Sequence, residues 1–160
     1  MKQKQFSVSY EPSAYNEKVC VYAVNPLANY AVVEQIQIAN STTSGFDIDV
    51  FWVDYSDVTV SATTYYGNGN IIHTYYDYSG SALNSIIQNG LVPRGSSLAV
   101  LNSPMYLDPK DFIFLRPASS GSGTAFKPLI TVTEYFEDGV SMTSSVDLKT
   151  TNTNLVARIY

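Results

Sequence analysis

The chain is poor in the residues from which most catalytic and metal sites are made. Its 160 residues hold one histidine, His73, and one cysteine, Cys20. A single cysteine excludes an intrachain disulfide. One histidine with no cysteine cluster leaves nothing from which to assemble a zinc site or a histidine-centred triad. Charge is scarce as well: Asp, Glu, Lys and Arg make up 14% of the chain, against roughly 25% in ordinary soluble domains. The nine basic residues are scattered, the net charge is −5 and the pI is near 4.6. Nucleic-acid binding draws on clustered Lys and Arg that displace counterions, so that class is excluded as an expectation. No apolar run approaches the ~18 to 20 residues that cross a bilayer, and the first residues lack the apolar core of a secretory signal. The expectation is a protein made in the cytoplasm and kept soluble, without a membrane partner.

What is present is alternation. Between Ala31 and Tyr55 the sequence reads AVVEQIQIAN, STTSG, FDIDVFWVDY, and Phe46, Ile48, Val50 and Trp52 alternate with Asp47 and Asp49. A period of two places the apolar set on one face of a pleated strand. Strands are expected at 18–24, 31–39, 46–54, 57–65, 71–77, 97–102, 111–116 and 128–136, separated by turn signals. This density of short strands predicts an all-β antiparallel sandwich of jelly-roll type. Asn68-Gly69 suits a tight hairpin between 57–65 and 71–77, because that pair tolerates positive φ. Pro109 within Tyr106–Asp111 sits at the second position of a turn. ALNSIIQNG, 82–90, is the one segment expected to form a short helical turn, stopped by Asn89-Gly90.

The chain divides into an N-terminal arm, 1–17, a sandwich domain, 18–138, and a C-terminal extension, 139–160. Phe6, Val8 and Tyr10 alternate in the arm, as a strand added to a sheet edge would. In the extension Val140, Met142, Val146 and Leu148 share one parity, and a turn at TTNTN leads to Leu155, Ala157 and Ile159. This hairpin carries an apolar face that requires a cover, from the domain or from a neighbouring subunit.

Candidate chemistry is thin. His73 lies between Ile72 and Thr74 and reads as structural; Cys20, in KVCVYAV, reads as a buried small apolar residue. Asp47 and Asp49, about 6 to 7 Å apart on one strand face, and Asp54 with Asp57 could in principle serve glycoside hydrolysis or hold Ca²⁺. Solvated acidic residues that discourage edge pairing are the simpler reading. Gly121-Ser122-Gly123 lacks the helix and the Lys-Ser/Thr of a phosphate loop and reads as linker. Leu91–Ser96, LVPRGS, matches a thrombin recognition sequence but runs directly into a strand. Neither a cofactor nor a metal is implied. Tyr65, Tyr66, Tyr75, Tyr76 and Tyr78 gather around one hairpin, either as cross-strand partners or as a surface for sugars or another protein. Together with Phe6, Val8, Tyr10, Leu155 and Ile159 they form the candidate interaction surface.

One ordered set of features resembles small virion structural proteins of tailed bacteriophages, especially marine and cyanobacterial ones. It comprises Ile38-Ala39-Asn40, Trp52-Val53-Asp54-Tyr55-Ser56, Val92-Pro93 ahead of Ser97–Leu101, Met105-Tyr106-Leu107 with Asp111, and Thr133-Glu134-Tyr135. It spans about residues 19–138. The GNGN hairpin, the 117–125 loop and the region after 138 depart from the pattern. The resemblance implies a non-enzymatic β-sandwich present in many copies on a virion. As a capsid decoration (cement) protein it would bind the major capsid protein; as a neck or tail accessory, a connector or fibre-attachment protein, it would bind other neck or tail proteins. Self-association is expected in either place. A carbohydrate-binding module using the surface tyrosines is the rival from another class.

Overall fold

The structure, a computed structural model, describes residues 1–9, 19–65, 71–78, 83–117, 126–140, 142, 146–151 and 154–159. The strands are β1 (Lys2–Ser9), β2 (Val19–Ala23), β3 (Tyr30–Asn40), β4 (Phe46–Val53), β5 (Val58–Tyr65), β6 (Ile71–Tyr78), β7 (Leu83–Val92), β8 (Ser97–Ala99), β9 (Met105–Leu107), β10 (Phe112–Pro117), β11 (Phe126–Phe136), β12 (Val146–Thr151) and β13 (Asn154–Ile159). All pairings are antiparallel. One sheet has the order β1-β11-β3-β8, with β9 also on β3; the second is β2-β10-β4-β7; the third is β12-β13-β6-β5.

The first two sheets form the sandwich that the alternating sequence predicts. Ala31, Val33, Ile36, Ile38, Ile130, Val132 and Phe136 from one sheet meet Ile48, Val50, Ile113 and Leu115 from the other in a single buried cluster. Burying each of these side chains other than that of Ala31 contributes roughly 1.5 to 3 kcal/mol. Each sheet therefore holds its partner in place.

The second sheet departs from simple amphipathic alternation. Its other face carries Phe51, Val53, Phe112 and Phe114, which are buried as well. Neighbouring β4 and β10 place Phe51 opposite Phe114 and Val53 opposite Phe112, so these side chains form one apolar layer. The burial of all four shows that this face is covered as well. Asp49 shares that covered face. The expectation of solvated carboxylates on an exposed strand face is thus corrected for Asp49, which is 2% exposed.

The segment 82–90 is not helical: residues 83–92 are β7, paired along β4 from Val53↔Leu83 to Phe46↔Val92. The Asn89-Gly90 signal was for backbone geometry rather than for a helix stop. Asn89 has φ 51°, and the register passes from Ile48↔Gly90 to Val50↔Ile87, so Gln88 and Asn89 together oppose Asp49. This is a β-bulge, and the Asn89 N–H donates to Asp49 Oδ1 at 2.8 Å. A Cβ at Gly90 would come within 2.7 Å of Ile87 Cδ1, so a larger residue there requires the Ile87 side chain to shift.

Tyr106 and Leu107, read from sequence as the start of the turn, belong instead to a short strand, Met105–Leu107, on β3. The turn itself is Asp108–Asp111, closed by the Asp111 N–H on Asp108 O at 3.1 Å. Pro109 occupies its second position, and Lys110 takes the positive φ, 73°, that type II turns require at the third. The Lys110 ammonium lies 4.8 Å from the Tyr55 ring centroid.

Candidate interaction surface

The described parts of the sequence-predicted surface fall into two groups. β1 pairs along β11 from Lys2↔Phe136 to Ser9↔Leu129, and Phe6 and Val8 pack, partly buried, against the chain's own core. Tyr65, Tyr75, Tyr76 and Tyr78 lie on the β5–β6 hairpin, with Tyr78 opposite Val58 and Tyr65 opposite Ile71. Tyr76 shares a rung with Val60 on one side and Leu155 on the other, while Ile159 pairs with Val146. The backbone therefore brings Tyr76 and Leu155 together. Tyr10, Tyr66, the GNGN turn and Gly121-Ser122-Gly123 lie outside the described residues.

Two of the carboxylates considered for chemistry, Asp49 and Asp54, are engaged in structure. Asp49 accepts Arg116 Nη2 at 2.6 Å and Arg116 Nε at 3.1 Å on Oδ2. Asp54 accepts the Ser56 N–H and hydroxyl, which hold its carboxyl below the usual range. Among the described residues there is no group of three or more His, Cys, Asp or Glu placed to hold a metal ion.

Three polar clamps join distant parts of the chain. Asn40 Nδ2 donates to the Ser44 and Val92 carbonyls, and its Oδ1 accepts from Thr42. Asp111 accepts the backbone N–H of Tyr55 at 3.0 Å and of Asp108 at 2.9 Å; burial, the larger effect, pushes its carboxyl up against those two bonds. Glu134, buried between the sheets, accepts the Tyr22 hydroxyl at 2.7 Å and the Asn25 N–H at 3.0 Å on Oε1. Burial first, and then the neighbouring Glu134, raise the Tyr22 hydroxyl far above its usual range.

A second aromatic group, missed in the sequence, lies on the outer face of the first sheet. Tyr30 and Tyr135 are cross-strand partners with stacked rings 4.7 Å apart, and Tyr106 follows at 6.3 Å from Tyr30. Tyr106 is 73% exposed. These tyrosines are far apart in sequence, so no local cluster announces them; only strand register joins them.

No family model matches this sequence, and no curated protein matches it. Among solved structures, the crystal structure of the infectious bursal disease virus VP2 subviral particle aligns with 99% of this chain and 40% of that one, at TM-score 0.28 and 9% identity. The structure of infectious bursal disease virus Gx strain aligns with 100% of this chain and 40% of that one, at TM-score 0.19 and 9% identity. The chain thus spans about 40% of the length of the structures it matches. Likeness at this level defines neither a family nor a role. The class the structure itself defines is an all-β antiparallel sandwich with a third sheet.

Proposed function

We propose that this chain is a non-enzymatic virion structural protein of a tailed phage, a capsid decoration protein that stiffens the shell through contacts with other subunits. The observation that supports this reading is where the residues of the phage-protein resemblance meet. Asn40 bonds the Val92 carbonyl and its N–H donates to Ser96 O. Asp111 bonds the Tyr55 N–H, and Glu134 joins β11 to Tyr22 of β2. Three residues of the resembling set, Asn40, Asp111 and Glu134, thus carry polar clamps of the sandwich, which supports reading the set as one of fold-bearing positions.

The surface suits a component of an array. It is acidic, which disfavours contact with packaged DNA, and many copies on one particle turn modest contacts into stable attachment. The stoichiometry of the protein in purified particles tests the proposal. Hundreds of copies are expected for a shell protein. About six or twelve copies would move it to the neck or tail, whose rings follow the symmetry of the axis, and absence from particles would overturn the virion reading.

A further inference from the structure

We infer that the outer face of the first sheet binds an extended, neutral oligosaccharide of β-linked gluco-configured pyranoses, laid across the strands with one sugar ring on Tyr106. The inference is independent of the virion reading.

Strand register builds the site. Gln5 pairs with Thr133, Thr133 with Val32 and Val32 with Tyr106, so the four residues form one rung across β1, β11, β3 and β9. Tyr106 stands at one end. Its ring has Tyr30 on one side, and Tyr30 is in turn stacked on Tyr135. Stacking takes up one face of each of those two inner rings, and the pair acts as a buttress. Tyr106, with most of its surface in solvent, is the tyrosine of the three left to receive the axial C–H face of a pyranose.

The polar half of the rung is also built. The β11–β3 register passes from Val132↔Val33 to Thr131↔Gln35, which makes Glu34 the extra residue of a bulge. Bulges re-aim side chains and occur often beside functional sites. Here the Glu34 carboxylate is turned back over the rung, accepting Thr133 Oγ1 at 2.9 Å on Oε1 and Gln5 Nε2 at 3.0 Å on Oε2. Each oxygen keeps a lone pair for a further donor. An exposed carboxylate fixed beside an amide is the arrangement that grips adjacent sugar hydroxyls.

The dimensions agree. Adjacent strands are ~4.8 Å apart, so the rung spans roughly 14 Å. The strand spacing is close to the advance per residue of an extended β-linked glycan, so a glycan seated on Tyr106 reaches the Glu34–Gln5 bridge that lies over the buried Thr133. Such a shallow site binds weakly, in the millimolar range, and gains from repetition when many copies share a surface.

Saturation-transfer NMR on the full-length protein, with cellohexaose, laminarihexaose and chitohexaose as separate probes, tests the inference. Transfer to at least one probe is expected. Tyr106→Ala should weaken that binding by about tenfold without altering the circular dichroism spectrum, and Tyr106→Trp should retain it. Absence of transfer to all three probes, or transfer unchanged in Tyr106→Ala, would overturn the assignment.

Discussion

Arg116 and Asp49 meet across adjacent strands, Nη2 to Oδ2 at 2.6 Å, with the two ends of the pair in unequal surroundings. The Asp49 side chain is 2% exposed and that of Arg116 is 33% exposed. The guanidinium also lies over the Phe51 ring, 5.5 Å from its centroid. Removing Arg116 strands a buried carboxylate held by the Asn89 N–H, whereas removing Asp49 leaves a cation that reaches water. Arg116→Ala should therefore lower unfolding free energy by about 3 kcal/mol and Asp49→Ala by less. Urea titration of both variants checks the order, and equal losses would refute this asymmetry.

Tyr22 and Glu134 join the two sheets through one charge-assisted hydrogen bond in the core. Tyr22→Phe keeps the ring and its packing but removes the donor. The expected cost is about 2 kcal/mol, seen as a lower urea midpoint with an unchanged slope.

Asp111 sets a pH dependence. Burial raises its carboxyl in the folded state, so the folded chain takes up this proton before the unfolded chain does, and stability from this group falls as pH rises through the raised value. Measured against Asp111→Asn, the wild type should gain relative stability as pH is lowered from neutral towards the ordinary aspartate range near ~3.9. Below that range the difference should level off. A wild-type advantage that grows with rising pH would contradict the assignment.

The LVPRGS segment should resist thrombin in the native protein. Arg94 and Gly95 are exposed, but Val92 is buried in the core and its carbonyl is bonded by Asn40. The Ser96 N–H closes a turn on Pro93 O at 3.2 Å, and Ser96 O accepts the Asn40 N–H. A protease cleft needs this stretch extended and detached. Mass spectrometry should find no cut after Arg94 under native conditions and a cut there in moderate urea. Asn40→Ala should advance cleavage to lower denaturant.

Most of the sandwich was legible because its strands obey one rule. Ala31, Val33, Ile36 and Ile38 face one core, and a period of two, interrupted by one bulge, is enough to find them. The strand 83–92 was not legible, since Asn89-Gly90 codes a left-handed backbone that both a helix end and a bulge can use. Asp49 looked solvated because the alternation of β4 gives only its parity; what covers that parity comes from elsewhere in the chain. The surface built on Tyr106, Glu34 and Gln5 depends on register between four strands, and the sequence holds no local trace of it.

β10 has an unusual position: Phe112, Ile113, Phe114 and Leu115 are consecutive and all buried, with β2 on one edge and β4 on the other. Its amide protons have no route to deuterium except through loss of the sandwich itself. They should exchange last, at a rate that reports global opening, while the outlying ribbons exchange through smaller excursions. The slowest clock in this molecule is therefore the run Phe112–Leu115, and any ligand or neighbour that tightens the whole particle should be read there first.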